Sequence, residues 1–277
     1  MPGVPPETSD GGTAIGPLSI TQVSVPVLPI VAGAAGESLS GLATSDAVAV
    51  GVELAGVGTG YWVTPVGATD PLFPGQISFG FTASFNANDP PGPHLLRFVA
   101  IDGVGHAGAQ FDAPICIESA VPDNDHACVA ANAPPAAVIS LSWDTNFDLD
   151  LQVVTPDGVD LSPEHPADVA ADAGASKLPA CTPQIDRDSL ANCVADGLRR
   201  ENLVFPCRPA PGIYHIYVDP FAACGQPAAH FTVVVYTVAG TCPSCGLVPV
   251  DSESGELLAS QVTGGASPGL FVHDQTF

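Results

Sequence analysis

The sequence predicts an all-β protein built as two tandem, disulfide-bonded β-sandwich domains, and three observations carry that expectation. Gly and Pro number 29 each in 277 residues, so turns interrupt the chain too often for long helices. Apolar residues recur at every second position over short runs, which is the period of a strand. The clearest case is Val138 to Gly158, where Ile139, Leu141, Trp143, Phe147, Leu149, Leu151 and Val153 alternate with Ser140, Ser142, Asp144, Asn146, Asp148, Asp150 and Gln152. That pattern predicts one buried face and one wet face, the wet one a row of oxygen ligands without a positive charge. Finally, the cysteines number eight, an even count, and all lie at or beyond Cys116. This fits a disulfide framework in an oxidising compartment.

In chain order, residues 1–16 are Pro, Gly, Ser and Thr with two acids and read as a flexible tether. Residues 17–118 form the first expected domain. Ala47-Val-Ala-Val-Gly-Val-Glu-Leu and Gly60-Tyr-Trp-Val-Thr-Pro read as strands, and Ile77, Phe79, Phe81, Ala83 and Phe85 share one parity and form a buried ridge. Residues 119–136 are a linker by composition, flanked by Cys116 and Cys128, between which a local bridge is expected. Residues 137–277 form the second domain. Phe231-Thr-Val-Val-Val-Tyr-Thr-Val-Ala is rich in β-branched residues and reads as a central strand. Gly255 to Val262 and Leu270 to Phe277 read as a closing hairpin.

The net charge is −23, with six Lys plus Arg. Phosphate backbones and anionic lipid surfaces are repelled by such a chain, which excludes nucleic acid as a partner. Mean hydropathy is +0.31, yet no run of about 18 apolar residues occurs. The nearest, Leu18 to Ala35, is broken by Gln22, Pro26, Pro29 and Gly33, so no membrane span is expected. Met1-Pro-Gly-Val-Pro-Pro lacks a basic n-region and an apolar h-region. A secreted or cell-surface chain whose leader precedes this numbering is the expectation.

The candidate chemistry is an ion site. Asp144, Asn146, Asp148 and Asp150 set three carboxylates and an amide along one strand face or the loop it enters. Crowded like charges raise one another's pKa unless a cation sits among them. Calcium suits them, as a hard ion that takes six to eight oxygens, roughly. The pattern is not an EF-hand, since Leu149 stands where the loop glycine belongs and Thr155 where the last Glu belongs. The remaining ligands are expected among Asp186, Asp188, Asn192, Asp196, Glu201 and Asn202, with a disulfide at Cys193 ordering that irregular segment. The competing reading has Asp144 and Asp148 capping turns, Asp150 facing water, and Arg187, Arg199 and Arg200 neutralising the second group of acids. Cys242-Pro-Ser-Cys245 has redox or zinc spacing, but no helix-opening βαβ context surrounds it, so a structural disulfide is expected. No His-Glu-x-x-His or Gly-x-Ser-x-Gly motif occurs.

Two resemblances refine this reading. Pro91 to Gly108, a Pro-Gly turn, a strand ending in Ala-Ile-Asp, a Gly-rich turn and a second strand, resembles the closing hairpin of bacterial immunoglobulin-like domains. Trp143-Asp-Thr, Asp148-Leu-Asp-Leu, Thr155-Pro-Asp-Gly, Arg200-Glu-Asn and Pro211-Gly-Ile-Tyr resemble the YfaP-like bacterial domains of unknown function and, more loosely, the pre-peptidase C-terminal sandwiches of secreted bacterial proteins. The resemblance implies an Ig-like sandwich followed by an exported, jelly-roll-like one with an accessory role. The family often carries His where this chain has Gln152, so a His-dependent site is not implied here. The expected function is a non-catalytic extracellular binding or adhesion module with a structural calcium ion, engaging an extracellular protein or glycan. The alternatives are an accessory domain or metal-assisted hydrolase using the acids, and a self-associating surface-layer or filament subunit.

Overall fold

A computed structural model describes residues 18–26, 29–58, 60–86, 88–167, 179–266 and 268–277. The expected tether, residues 1–16, lies outside them. The described residues are strands and turns with no α-helix, as composition required, and none forms a helix long and apolar enough to cross a membrane. The chain divides into two compact units, Met1–Ala120 and Val121–Phe277.

The first unit holds β1 (Ile20–Ser24), β2 (Ile30–Val31), β3 (Glu37–Thr44), β4 (Ala47–Leu54), β5 (Trp62–Pro65), β6 (Gln76–Ala83), β7 (Gly92–Asp102) and β8 (Ala107–Glu118). They form a three-stranded sheet, β1-β3-β6, and a five-stranded one, β2-β8-β7-β4-β5. Both sheets contribute to one core, in which Phe79 and Phe98 pack with ring centroids 6.0 Å apart. The expected ridge faces this core: Phe79 and Phe85 are buried, and Ile77, Phe81 and Ala83 pack against it half-buried. β7 and β8 form the hairpin read from Pro91 onwards, and Asp102 caps its turn by accepting from the Val104 and His106 amides at 3.0 and 2.8 Å.

The second unit holds β9 (Ala137–Trp143), β10 (Asp148–Val154), β11 (Asp160–Leu161), β12 (Gln184–Ile185), a 3-10 turn (Ala191–Cys193), β13 (Arg200–Phe205), β14 (Ile213–Ala222), β15 (Ala228–Ala239), β16 (Gly246–Leu258) and β17 (Leu270–Thr276). Its sheets are β12-β13-β9-β15-β16 and β11-β10-β14-β17, antiparallel throughout. β15 is interior, as its β-branched run predicts. Gly255 lies opposite Phe231 on the neighbouring strand, and a Cβ there would meet the Phe231 ring at 2.6 Å.

Two expectations need correction. The run Val138–Gly158 is not one strand: it splits into β9 and β10, which belong to opposite sheets and share one core through Ile139, Leu141, Phe147, Leu149 and Leu151. One parity serves both strands because the link between them keeps the apolar residues inward. The closing hairpin does not form, since β16 and β17 also lie in different sheets; a 2.7 Å contact from His273 Nε2 to Asp251 Oδ2 joins them instead. The segment read as a linker falls within the second unit from Val121 and is internally bonded, with Asn124 Nδ2 donating to the Ala133 carbonyl and Asn132 Nδ2 to that of Asn124.

No described cysteine is free. Cys181 pairs with Cys207, Cys193 with Cys224, and Cys242 with Cys245, the last closing the turn between β15 and β16. The bridge at Cys193 anchors the segment between β12 and β13 to the end of β14, next to the acids of β10.

Candidate metal centre

Asp148 and Asp150 stand two residues apart on β10 and so share a face, opposite the one that sends Leu149 and Leu151 into the core. That face was expected to be wet, and it is not: Asp148 is 1% exposed and Asp150 8%. The segment after β12 reaches Asp148, whose Oδ2 accepts from the Asn192 amide at 3.1 Å. Alternation along a strand reports which residues share a side; it cannot report what another part of the chain lays over that side.

The same segment delivers Asp188. One ligand oxygen each from Asp148, Asp150 and Asp188 lie within 4.8 Å of one another. Asp148 Oδ1 is buried without a hydrogen-bond partner. Among the described residues no donor reaches the Asp150 or Asp188 carboxylate. Burial and the neighbouring charge of Asp188 push the Asp148 carboxyl up to about 6. Burial, followed by the charges of Asp148, Asp188, Asp219 and Glu164, pushes Asp150 up to about 8. Asp188 is raised by burial and by Asp196 and Glu164. The protein therefore gathers two buried carboxylates and a third, exposed one with a single backbone donor among them, at Asp148, which is costly without a cation.

Glu201 is fully buried but already partnered: its oxygens accept from the Leu151 amide at 2.7 Å and the Ser189 amide at 3.1 Å. It braces the segment against the edge of β10, which β11 covers only at Val153 and Val154. Its carboxyl is raised well above the ordinary range by burial and by Asp150. The segment is further held by Asp186, which accepts from the Asn202 amide and Nδ2, both at 2.9 Å, and from Arg187 Nε at 3.1 Å. Leu190, Asn192, Cys193 and Arg199 all take left-handed backbone angles, φ 66°, 54°, 64° and 48°. Such angles cost roughly 1–2 kcal/mol per residue and persist only where surroundings impose them.

Of the residues named from the sequence, then, Asp148, Asp150 and Asp188 converge. Asp186, Glu201 and Asn202 serve the scaffold. Asp196 accepts from Ser189 Oγ and the Leu198 amide, each at 3.0 Å. Asn192 contributes its backbone to Asp148, while its side chain and that of Asn146 lie in exposed residues. Asp144 points elsewhere: its carboxylate accepts from the His230 amide and contacts His230 Nδ1, both at 2.9 Å, in a shallow depression of about 610 Å³ on the five-stranded sheet. Among the described residues, the ion pair formed by these arginines with the second group of acids is Arg187 on Asp186; Arg200, which also feels the Asp186 charge, donates through Nη1 to Ser140 Oγ at 2.9 Å. Two acids went unrecognised in the sequence. Asp219 is 5% exposed and lies directly across from Asp150 on β14, and Glu164 precedes β12. The available signal was Asp219 itself, an acid inside the apolar run Ile213–Ala222.

The first unit offers a different feature. Between its edge strands β5 and β6 lies a cleft of about 650 Å³ floored by Leu39, Leu54, Phe81 and Phe85, with Trp62 exposed at its rim. Neither cleft is lined by the acidic cluster.

No family model matches the chain, and no curated protein matches it.

Proposed function

We propose that the protein is an exported, non-catalytic binding module whose second domain is completed by calcium. The observation that carries this reading is the convergence of Asp148, Asp150 and Asp188 around a buried carboxylate oxygen that lacks a donor. Carboxylate oxygens are the ligands of hard cations, and magnesium is less suited to a dedicated all-protein cage. An extracellular setting supplies calcium and tolerates disulfides. The resemblance of Trp143-Asp-Thr and Asp148-Leu-Asp-Leu to YfaP-like domains supports an accessory role, and rests on the quoted motifs alone. In this reading the first, Ig-like domain does the recognising: its Trp62-rimmed cleft has the size and apolar lining of a ligand site, and takes part of an extracellular protein or glycan. The calcium stiffens the second, jelly-roll-like domain.

The test is a thermal melt of the full chain in calcium and in chelator, repeated for Asp148→Ala. Calcium raises the melting temperature of the native protein by mass action and leaves that of Asp148→Ala unmoved. A wild-type melt indifferent to both additions would remove the calcium reading.

A further inference from the structure

We infer that the Trp62-rimmed cleft of the first unit takes an extended, basic segment of a partner protein, which adds to the sheet as a strand beside β6. This rests on the reading above that the cleft does the recognising, and supplies the partner's chemistry.

The backbone of β6 carries the inference. β6 is an edge strand, paired with β3 on one side. On its other side the Ser78 amide donates to the Ala68 carbonyl at 3.0 Å, and the Ser78 and Gln76 carbonyls accept from the Gly67 and Asp70 amides at 2.6 and 3.0 Å. The link from β5 thus covers the first half of that edge. Backbone groups alternate in direction along an antiparallel strand, so those of Gly80 and Thr82 point the same way as those of Ser78. Among the described residues no backbone group pairs with them there, and both residues are exposed. An open edge is a template for another strand, which sheets ordinarily blunt with charge, proline or a bulge. Phe79-Gly-Phe-Thr-Ala has none of these. The facing edge does: β5 is four residues long and ends in Pro65.

The cleft fits such a strand. Phe81 and Ala83 alternate with Gly80 and Thr82 and line it together with Leu39, Leu54 and Leu96. Trp62, 64% exposed, stands across from them. A strand laid against Gly80 and Thr82 sends every second side chain onto this apolar floor and the others to solvent. A sugar can stack on Trp62, but a peptide backbone repeats donors and acceptors at the spacing of the edge. Charge selects the sequence. Arg97 is the one Lys or Arg of Met1–Ala120, against ten acids, and Glu53 and Asp112 engage it. Asp89 lines the cleft, and among the described residues no Lys or Arg does. Lysine or arginine beside the apolar residues of the incoming strand is therefore attracted, whereas a second copy of this acidic chain is repelled.

The test probes the full chain with short synthetic peptides in which valine, leucine or phenylalanine alternates with lysine or threonine, and in parallel with soluble β-glucan oligosaccharides. The peptides should bind. Thr82→Pro removes an outward amide and leaves the β3 ladder alone; it should weaken the tightest peptide by about tenfold or more. N-methylating alternate amides of that peptide should abolish binding in one set and spare it in the other, a readout that leaves the protein unaltered. Equal binding to wild type and Thr82→Pro, or equal loss from both methylated sets, overturns the added strand. Oligosaccharide binding lost in Trp62→Ala but kept in Thr82→Pro overturns it as well, while the cleft stands as the recognition site. Dimerisation on sedimentation that Thr82→Pro abolishes would give the edge to a second copy instead. Binding of neither peptide nor sugar removes the recognising role of the cleft together with the strand.

Discussion

Glu53 in the first unit and Asp150 in the second are both buried acids on strands, at 6% and 8% exposure, and the chain treats them oppositely. Glu53 faces Arg97 at 3.5 Å. Arg97 in turn grips Asp112 through Nε and Nη2 at 2.9 and 3.1 Å, and that bond holds the Asp112 carboxyl below its usual range. Among the described residues, the charges around Asp150 are further carboxylates. With 29 acids and six Lys plus Arg, the chain cannot match its carboxylates from within. The buried acid of the first unit meets an arginine of its own sequence; in the proposed reading, those of the second await an ion from solution. A buried charge alone does not mark a site, whereas a group of them left without a protein cation does.

The sharpest way to break this contrast is to release the covering segment. Replacing Cys193 and Cys224 together by Ala removes a bridge spanning 31 residues, worth roughly 3–4 kcal/mol by loop-closure entropy. Denaturant unfolding should show that loss, and calcium titration of the same variant should show weakened binding. Undiminished affinity would mean that the bridge does not position Asp188. Next in size is Arg97→Met, which removes the arginine that stands between Glu53 and Asp112. Its cost should be about 2–3 kcal/mol, below that of a fully buried pair because Arg97 is partly exposed. Added calcium should restore none of it, and rescue by calcium would erase the distinction between the units.

The smallest change sharpens the comparison most. At pH 7, Asp150→Asn should stabilise the metal-free protein by about 1–2 kcal/mol, by removing a carboxyl that folding must hold protonated well above its ordinary range. It should also abolish the calcium response, about 2.7 kcal/mol at a hundredfold excess over Kd. The pH dependence has a definite sign. Asp148 and Asp150 are raised from 3.8 to about 6 and about 8. Across that window the native state holds more protons than the unfolded chain, so metal-free stability is greatest near pH 4 and falls as pH rises through 6 and 8. Melting curves in chelator should slope downward with pH, and saturating calcium or Asp150→Asn should flatten them. A metal-free protein that gains stability over the same range would contradict the proposed electrostatics.

How much of this was legible beforehand follows from what each pattern can encode. Residues two apart on a strand share a side, so Asp148 and Asp150 could be paired from sequence. Pro91-Gly92 and the Asp102 turn are local and were read correctly. Asp219 could not be placed, because the alignment of β14 against β10 is set by the core and not by either strand alone. The assumed wetness of Asp148 failed for the related reason that Asn192, far along the chain, lies over it. Glu201 and Asp196 looked like ligands because carboxylates that brace amides and those that bind ions are identical in sequence.

The two bridges of the covering segment interleave, since Cys181 reaches forward to Cys207 and Cys193 beyond it to Cys224. A protease nick after Arg187 or Arg199 would therefore release nothing: the fragments stay tied through sulfur and part only on reduction. Limited digestion with an arginine-specific protease, which spares Lys177, resolved on paired reducing and non-reducing gels would report the looseness of this belt while the nicked segment stays attached.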